Sequence, residues 1–200
     1  LFFFCYNLIM KKSVIILGST GSIGVNTLEV LDLHRDVFEV FALAANSSVD
    51  SLADQCKKFK PKYAHISSEA DAKTLSNRIK KSNIKTEILF GQKTLNDLVS
   101  LKEVETVVCA ISGSAGLESS INAVKSGKNI LLANKESLVM CGSLFMELAK
   151  KNNSTILPVD SEHNALHQCF SANGNKSVEK IILTASGGPF LNSDINEFEN

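Results

Sequence analysis

Short apolar runs alternate with longer amphipathic stretches along almost the whole chain, and this alternation constrains the fold more than any other feature. The β-branched run at 14–17 is followed by a stretch, 22–33, with Ile23, Thr27, Val30 and Leu31 on one side at helical spacing. Further strands are expected at 37–44, 63–66, 87–90, 106–110, 130–133, 155–159 and 178–185. Helices are expected at 49–59, where Pro61 sets the end, and at 69–81, 94–101, 116–126, 136–150 and 162–171. Strands and helices in strict alternation predict a parallel sheet with helices on both faces. Right-handed crossovers make it doubly wound. Ligands of such sheets bind beyond the carboxyl ends of the strands, so the segments just after each strand carry the functional information. The polar turn Asn152-Asn153-Ser154 suggests a division into a first domain at 10–155 and the beginning of a second α/β domain at 156–200.

Residues 1–9 are apolar and precede Met10-Lys11-Lys12. A secretory signal places its positive residues before the apolar run, not after it, and nine residues are too few to span a bilayer. They are expected to be an upstream extension of a start at Met10. With 21 basic and 21 acidic residues the chain has no net charge, which argues against a nucleic-acid partner. No stretch predicts a membrane helix. Cys5, Cys56, Cys109, Cys141 and Cys169 are odd in number and widely spaced. They predict reduced thiols in a cytoplasmic protein rather than a disulfide framework or zinc knuckle.

The first post-strand segment, Gly18-Ser19-Thr20-Gly21-Ser22-Ile23-Gly24, opens the first helix. Glycines let the backbone turn tightly and approach a pyrophosphate, which then sits on the helix N-terminus. Ser19, Thr20 and Ser22 can add hydroxyl donors. The spacing is GxxGxxG rather than GxGxxG, and a ligand-free turn is the alternative. After the second expected strand come Asn46, Ser47 and Ser48, with no carboxylate at the strand end. A carboxylate there would hold NAD ribose and repel a 2′-phosphate, so these neutral donors favour NADP. They are equally suited to capping the next helix.

Ala110-Ile111-Ser112-Gly113-Ser114-Ala115-Gly116 permits close approach to a ligand or close helix–sheet packing. In Asn134-Lys135-Glu136, the lysine can bind an anionic or carbonyl oxygen, and Asn134 and Glu136 can orient a ribose or nicotinamide. A solvated helix start is the alternative. Asp160-Ser161-Glu162 places two carboxylates around a serine at a strand end, oxygen ligands suited to Mg²⁺ or Mn²⁺. The same pattern serves as a helix cap, and Glu162, His163 and His167 form a weaker zinc alternative. Ser186-Gly187-Gly188 can cradle a phosphate or simply turn.

In this order GSTGSIG at 18–24, LLANKESLV at 131–139, LPVDSEHNAL at 157–166 and LTASGGPF at 183–190 resemble the 1-deoxy-D-xylulose 5-phosphate reductoisomerase family. The resemblance implies a Rossmann-like NADPH-binding domain followed by the start of a metal- and substrate-binding domain. It implies conversion of 1-deoxy-D-xylulose 5-phosphate to 2-C-methyl-D-erythritol 4-phosphate, on the way to isoprenoid precursors. NADPH and Mg²⁺ or Mn²⁺, with Co²⁺ as a further option, are the implied cofactors. Gly18, Thr20, Gly21, Ser22 and Ile23 would bind NADPH, with Asn46, Ser47 and Ser48 near its 2′-phosphate, and Asn134 and Glu136 would also contact it. Lys135, Ser161, Glu162 and Ser186 would bind substrate, and Asp160 and Glu162 the metal. Lys135, Asp160 and Glu162 would carry the catalysis. Many members have a basic residue where Ser47 stands and an aromatic one where His167 stands. The family continues beyond residue 200 with a third metal carboxylate, a lid and a helical domain, and usually forms homodimers. A non-catalytic NADPH-sensing module and a different NADP-dependent dehydrogenase are the competing expectations. The dehydrogenase reading does not predict Asp160-Ser161-Glu162.

Overall fold

A computed structural model of the chain describes residues 11–80, 82, 84–170, 178–182 and 194. Strand β1 (Lys12–Leu17) is buried from Ser13 onward. Its Val14 and Ile16 enter one hydrophobic cluster and its Ile15 and Leu17 another. A strand covered on both faces reads as a continuous apolar run. Six further strands join it in one parallel sheet: β2 (Phe38–Ala45), β3 (Tyr63–Ile66), β4 (Glu87–Phe90), β5 (Thr106–Cys109), β6 (Asn129–Leu132) and β7 (Thr155–Pro158). Their order across the sheet is β4-β3-β2-β1-β5-β6-β7.

Helices α1 (Ser22–Leu33), α2 (Val49–Phe59) and α3 (Glu69–Lys80) cover one face. Leu28, Leu31, Leu52, Cys56, Leu75 and Ile79 are packed there against Val14, Ile16, Leu43 and Val108. Helices α4 (Gln92–Val99), α5 (Leu117–Lys125) and α6 (Glu136–Lys151) cover the other. There Leu95, Leu98, Val124 and Phe145 meet Ile15, Leu17, Val107 and Ile130. Each such leucine or phenylalanine removed from water contributes about 1.5–3 kcal/mol. The two layers confirm the doubly wound α/β expectation. They also locate the reversal of winding between β1 and β5, where the chain returns from the β4 edge to the opposite side of β1.

Several boundaries differ from expectation. The helix expected at 116–126 forms as α5, and a 3₁₀ turn at Gly113–Gly116 precedes it. Helix α6 is broken at Cys141 (φ −152°, ψ 42°), immediately before Gly142, so its first turn is separate from its body. Glycine is a poor helix former at such a point. Strand β7 hydrogen-bonds to β6 inside the same sheet, and the first compact unit runs to Asp160. Val178 to Ile182 carry no regular element, so the strand expected there does not form over them. Its remainder, 183–185, lies outside the described residues, as do residues 1–9.

In the second unit, helix α7 (Ser161–Cys169) buries none of its nine residues.

Candidate functional site

The strand register aligns the carboxyl ends of four strands. Leu17 pairs with Cys109, Cys109 with Leu132, and Leu132 with Pro158. The ladder continues one residue further: the amides of Ala110, Ala133 and Val159 donate to the carbonyls of Leu17, Cys109 and Leu132. Gly18, Ala110, Ala133 and Val159 therefore stand in a row along one edge. Neighbouring strands lie about 4.8 Å apart, so the row spans roughly 14 Å from β1 to β7.

Gly18 has φ +82°, and a Cβ on it would stand 2.6 Å from the carbonyl oxygen of Ala110. The turn after β1 is thus pressed directly against the segment after β5, at the point where the winding reverses. A Cβ on Gly24 would lie 2.3 Å from the Gly18 carbonyl oxygen, so α1 packs its first turn onto the loop only because that position is bare. Gly21 differs, since its Cβ would meet only the Gly18 oxygen, at 3.5 Å. No packing demand accounts for it, and its bareness leaves the mouth of the loop open.

Helix α1 starts there with no side-chain cap and no acidic residue in its first turn. Its leading amides therefore face outward, with the positive end of the helix dipole behind them. Gly21 and Ser22 are exposed, and Thr20 and Ile23 are half-buried. Ser19 is not available to a ligand as a hydroxyl donor: it is fully buried and its Oγ donates to Gln55 Oε1 at 2.8 Å. Gln55 Nε2 in turn donates to the Ser19 carbonyl at 2.8 Å. This reciprocal pair ties the loop to α2. Gln55 carries no sequence signal, because a glutamine inside an amphipathic helix is ordinary.

At the end of β2, Asn46, Ser47 and Ser48 are all exposed. Ser48 occupies the cap position of α2 without any side-chain hydrogen bond, so its hydroxyl is not consumed by capping. The nearby Asp50 carboxylate is bound by the Arg78 guanidinium, which offsets its charge beside the serines.

Beyond β5 and β6 the two turns interlock. Asn134 is 2% exposed. Its Nδ2 donates to the carbonyls of Ile111 and, at 2.9 Å, Gly113. Its Oδ1 accepts from the amide and hydroxyl of Ser137, both at 2.9 Å. Lys135 and Glu136 follow at the start of α6 and are exposed. The small residues at 110–116 serve packing here: a Cβ on Gly116 would meet the Ile111 carbonyl oxygen at 2.6 Å and Asn134 Nδ2 at 2.7 Å.

Asp160, half-buried, ends the first unit directly after β7 and the Val159 ladder bond. In the second unit Ser161 and Glu162 are exposed in the first turn of α7, as is His163, with His167 further along. Among the described residues no three His, Cys, Asp or Glu side chains gather as a metal cluster, which leaves the zinc alternative without a ligand set. Asp160 and Glu162 each carry a carboxylate, the ligand type that suits a hard divalent cation. Ser186 lies outside the described residues.

A separate concavity of about 710 Å³, lined by Lys11, Phe38, Phe59, Lys62 and Thr86, opens at the amino-terminal edge of the strands. It is remote from every turn described above. The aligned turns, the outward amides of α1 and the bare Gly21 place the site at the carboxyl edge instead. A glycine turn and an uncapped helix start at the reversal point of a doubly wound parallel sheet define a dinucleotide-binding domain.

The comparisons with known proteins specify which one. The family model for 1-deoxy-D-xylulose 5-phosphate reductoisomerase matches residues 14–142, and that for the C-terminal domain of the same family matches residues 156–200. The chain belongs to the 1-deoxy-D-xylulose 5-phosphate reductoisomerase family. It is 50% identical to the reductoisomerase of Saccharophagus degradans over 188 residues, 92% of this chain and 48% of that one. It is 46% identical to that of Dechloromonas aromatica, over 94% of this chain and 49% of that one. Among solved structures, DOX-P reductoisomerase in complex with NADPH, fosmidomycin and magnesium superposes with a TM-score of 0.83 at 42% identity, covering 93% of this chain and 48% of that one. The Zymomonas mobilis reductoisomerase in complex with NADPH gives 0.84 at 38% identity, covering 94% and 49%. The chain spans about half the length of the curated relatives it matches. Among the described residues no helix is long and apolar enough to cross a membrane.

Proposed function

We propose that this chain supplies the NADPH-binding domain, 10–155, and the first part of the catalytic domain, 156–200, of an enzyme that rearranges and reduces 1-deoxy-D-xylulose 5-phosphate to 2-C-methyl-D-erythritol 4-phosphate. The observation that carries this reading is the row of turns at one sheet edge, Gly18 to Asp160, within a chain matched along its length by the two family models. When bound, NADPH supplies the hydride and Mg²⁺ or Mn²⁺ (Co²⁺ is a further option) polarises substrate oxygens.

The chain's own residues divide the remaining work. The backbone of Gly18, Thr20, Gly21, Ser22 and Ile23 receives the pyrophosphate on the outward amides of α1. Asn46, Ser47 and Ser48 give neutral donors to the adenosine ribose and its 2′-phosphate, with Arg78 holding Asp50 off that phosphate. Glu136 serves the cofactor further along the edge, and Asn134 contributes through its hold on the turn that carries Glu136. Lys135 presents its ammonium to an anionic or carbonyl oxygen of the sugar phosphate, and Ser161 and Ser186 hold the same substrate through their hydroxyls. Asp160 and Glu162 hold the cation, and Glu162 also faces substrate. We infer a homodimer as the working form. We place it in the cytoplasm, consistent with the cysteines. Cys56, Cys109, Cys141 and Cys169 are free thiols, and burial pushes Cys56 up to about 12 and Cys109 up to about 11.

Asp160→Asn in the complete gene product tests the reading. Turnover at limiting Mg²⁺ is expected to fall at least about 100-fold, since one ligand charge is worth several kcal/mol of developing-charge stabilisation. NADPH affinity is expected to change less than about 3-fold, because the cofactor loop lies roughly 14 Å away across the sheet edge. Unchanged turnover at limiting metal would remove Asp160 from the site.

A further inference from the structure

We propose that Asn134 is a positioning residue: its side-chain amide staples the turn after β5 to the turn after β6 and thereby sets where Lys135 and Glu136 stand. The inference rests on the proposed function for what those two residues do, but the staple itself follows from geometry. An asparagine side chain has two N–H donors and one carbonyl oxygen with two lone pairs. Here all four are used inside the protein: Nδ2 donates to the Ile111 and Gly113 carbonyls, and Oδ1 accepts from the Ser137 amide and hydroxyl. Nothing on the amide remains to reach a bound cofactor, so its effect on the site must be indirect.

Both ends of the staple matter to the cleft. On one side it holds the Ile111–Gly113 turn, which lies next to the Gly18 loop through Ala110. That turn leads to Gly116, whose carbonyl accepts the hydroxyls of buried Ser119 and Ser120 at 3.2 and 2.7 Å. On the other side it holds Ser137, in the short first turn of α6. The amides of Leu138 and Val139 hang from the Lys135 carbonyl at 3.0 and 3.2 Å, and the helix breaks at Cys141. This first turn is therefore separated from the body of α6, and the amide of Asn134 ties it to the sheet. Gly116 must lack a side chain for the staple to close, since its Cβ would sit 2.7 Å from Nδ2.

Two variants of the complete enzyme attack the staple from opposite ends. Asn134→Asp keeps the shape and the accepted bonds but turns a carboxylate oxygen toward two carbonyls. Gly116→Ala pushes a methyl group against Nδ2 and the Ile111 carbonyl. At saturating NADPH, both are expected to lower kcat/KM for the sugar phosphate at least about 30-fold, the scale of a misplacement near 1 Å. Both are expected to raise the Kd for NADPH about 3- to 10-fold, and the double variant should be no worse than the worse single one within about 3-fold, as for two lesions of one unit. Thermal unfolding is followed alongside. A rise in NADPH Kd for Asn134→Asp with Gly116→Ala silent would overturn the staple in favour of a direct cofactor contact. So would a loss of Tm with kcat/KM unchanged in the folded fraction, which would leave only a structural role. A wild-type enzyme that binds NADPH but does not turn over would sink the proposed reaction instead. The matched, non-additive shifts in NADPH Kd would still report on the staple.

Discussion

His65 is 3% exposed at the carboxyl end of β3, and its Nε2 lies 2.9 Å from the Gly91 carbonyl. A carbonyl can only accept, so Nε2 carries the hydrogen and Nδ1 is left as a bare lone pair with no partner among the described residues. Burial pushes the His65 pKa below its ordinary 6.5, with the Gly91 bond opposing. Above about pH 6.5 both folded and unfolded chains hold a neutral ring; below it the unfolded chain takes a proton that the folded one resists, so stability falls as pH falls. The expected outcome is a Tm that drops more steeply between pH 7 and about 5.5 in the wild type than in His65→Gln. Equal slopes would show that His65 does not set this limb. Residues of this kind were only partly legible in the sequence. The hydroxyl of Ser19 is expected from its position to face a ligand, yet it is spent on Gln55, thirty-six positions away. Asn134 reads as a cofactor contact, yet its amide is fully engaged within the protein. Lys128 is 6% exposed and donates to the Leu101 and Val104 carbonyls at 2.5 and 2.8 Å. Side-chain partners distant in sequence leave no local pattern to read.

At the scale of elements, the strands and helices of the first unit were legible because hydrophobic period and length agree. Buried β-branched runs of four to eight residues lie between stretches with 3.6-residue spacing. The break of α6 at Cys141 was not, since Glu136–Lys151 keeps its apolar period straight through it. The place of β7 was not legible either, because a polar turn at 152–154 looks like a linker whether or not the next strand joins the sheet. The glycine turn shows how elements depend on one atom. Gly24→Ala would put a methyl group 2.3 Å from the Gly18 carbonyl oxygen and 2.6 Å from the Ser19 Cα, both backbone atoms. The expected cost is about 1–3 kcal/mol of stability, typical of overpacking. A weakened NADPH affinity should accompany it, as α1 is forced off the loop. Urea unfolding and NADPH titration of the same variant check this. A variant as stable and as tight-binding as the wild type would mean that α1 does not seat on the loop as described.

At the scale of the molecule, alternation predicted a doubly wound sheet, while the strand order β4-β3-β2-β1-β5-β6-β7 needed the structure. That order gives the site its logic. It sets the glycine turn of β1 beside the turn of β5 and brings the turns of β6 and β7 into the same row. The chain covers about half of its relatives' length, and the proposed reaction is tested on the complete gene product. The most direct measurement is NADPH absorbance on mixing that product with 1-deoxy-D-xylulose 5-phosphate and Mg²⁺, with and without a chelator. Consumption of NADPH that requires both the sugar phosphate and free metal is the predicted result. A folded protein that binds NADPH yet consumes none under these conditions would contradict the reductoisomerase assignment while leaving the dinucleotide-binding fold in place.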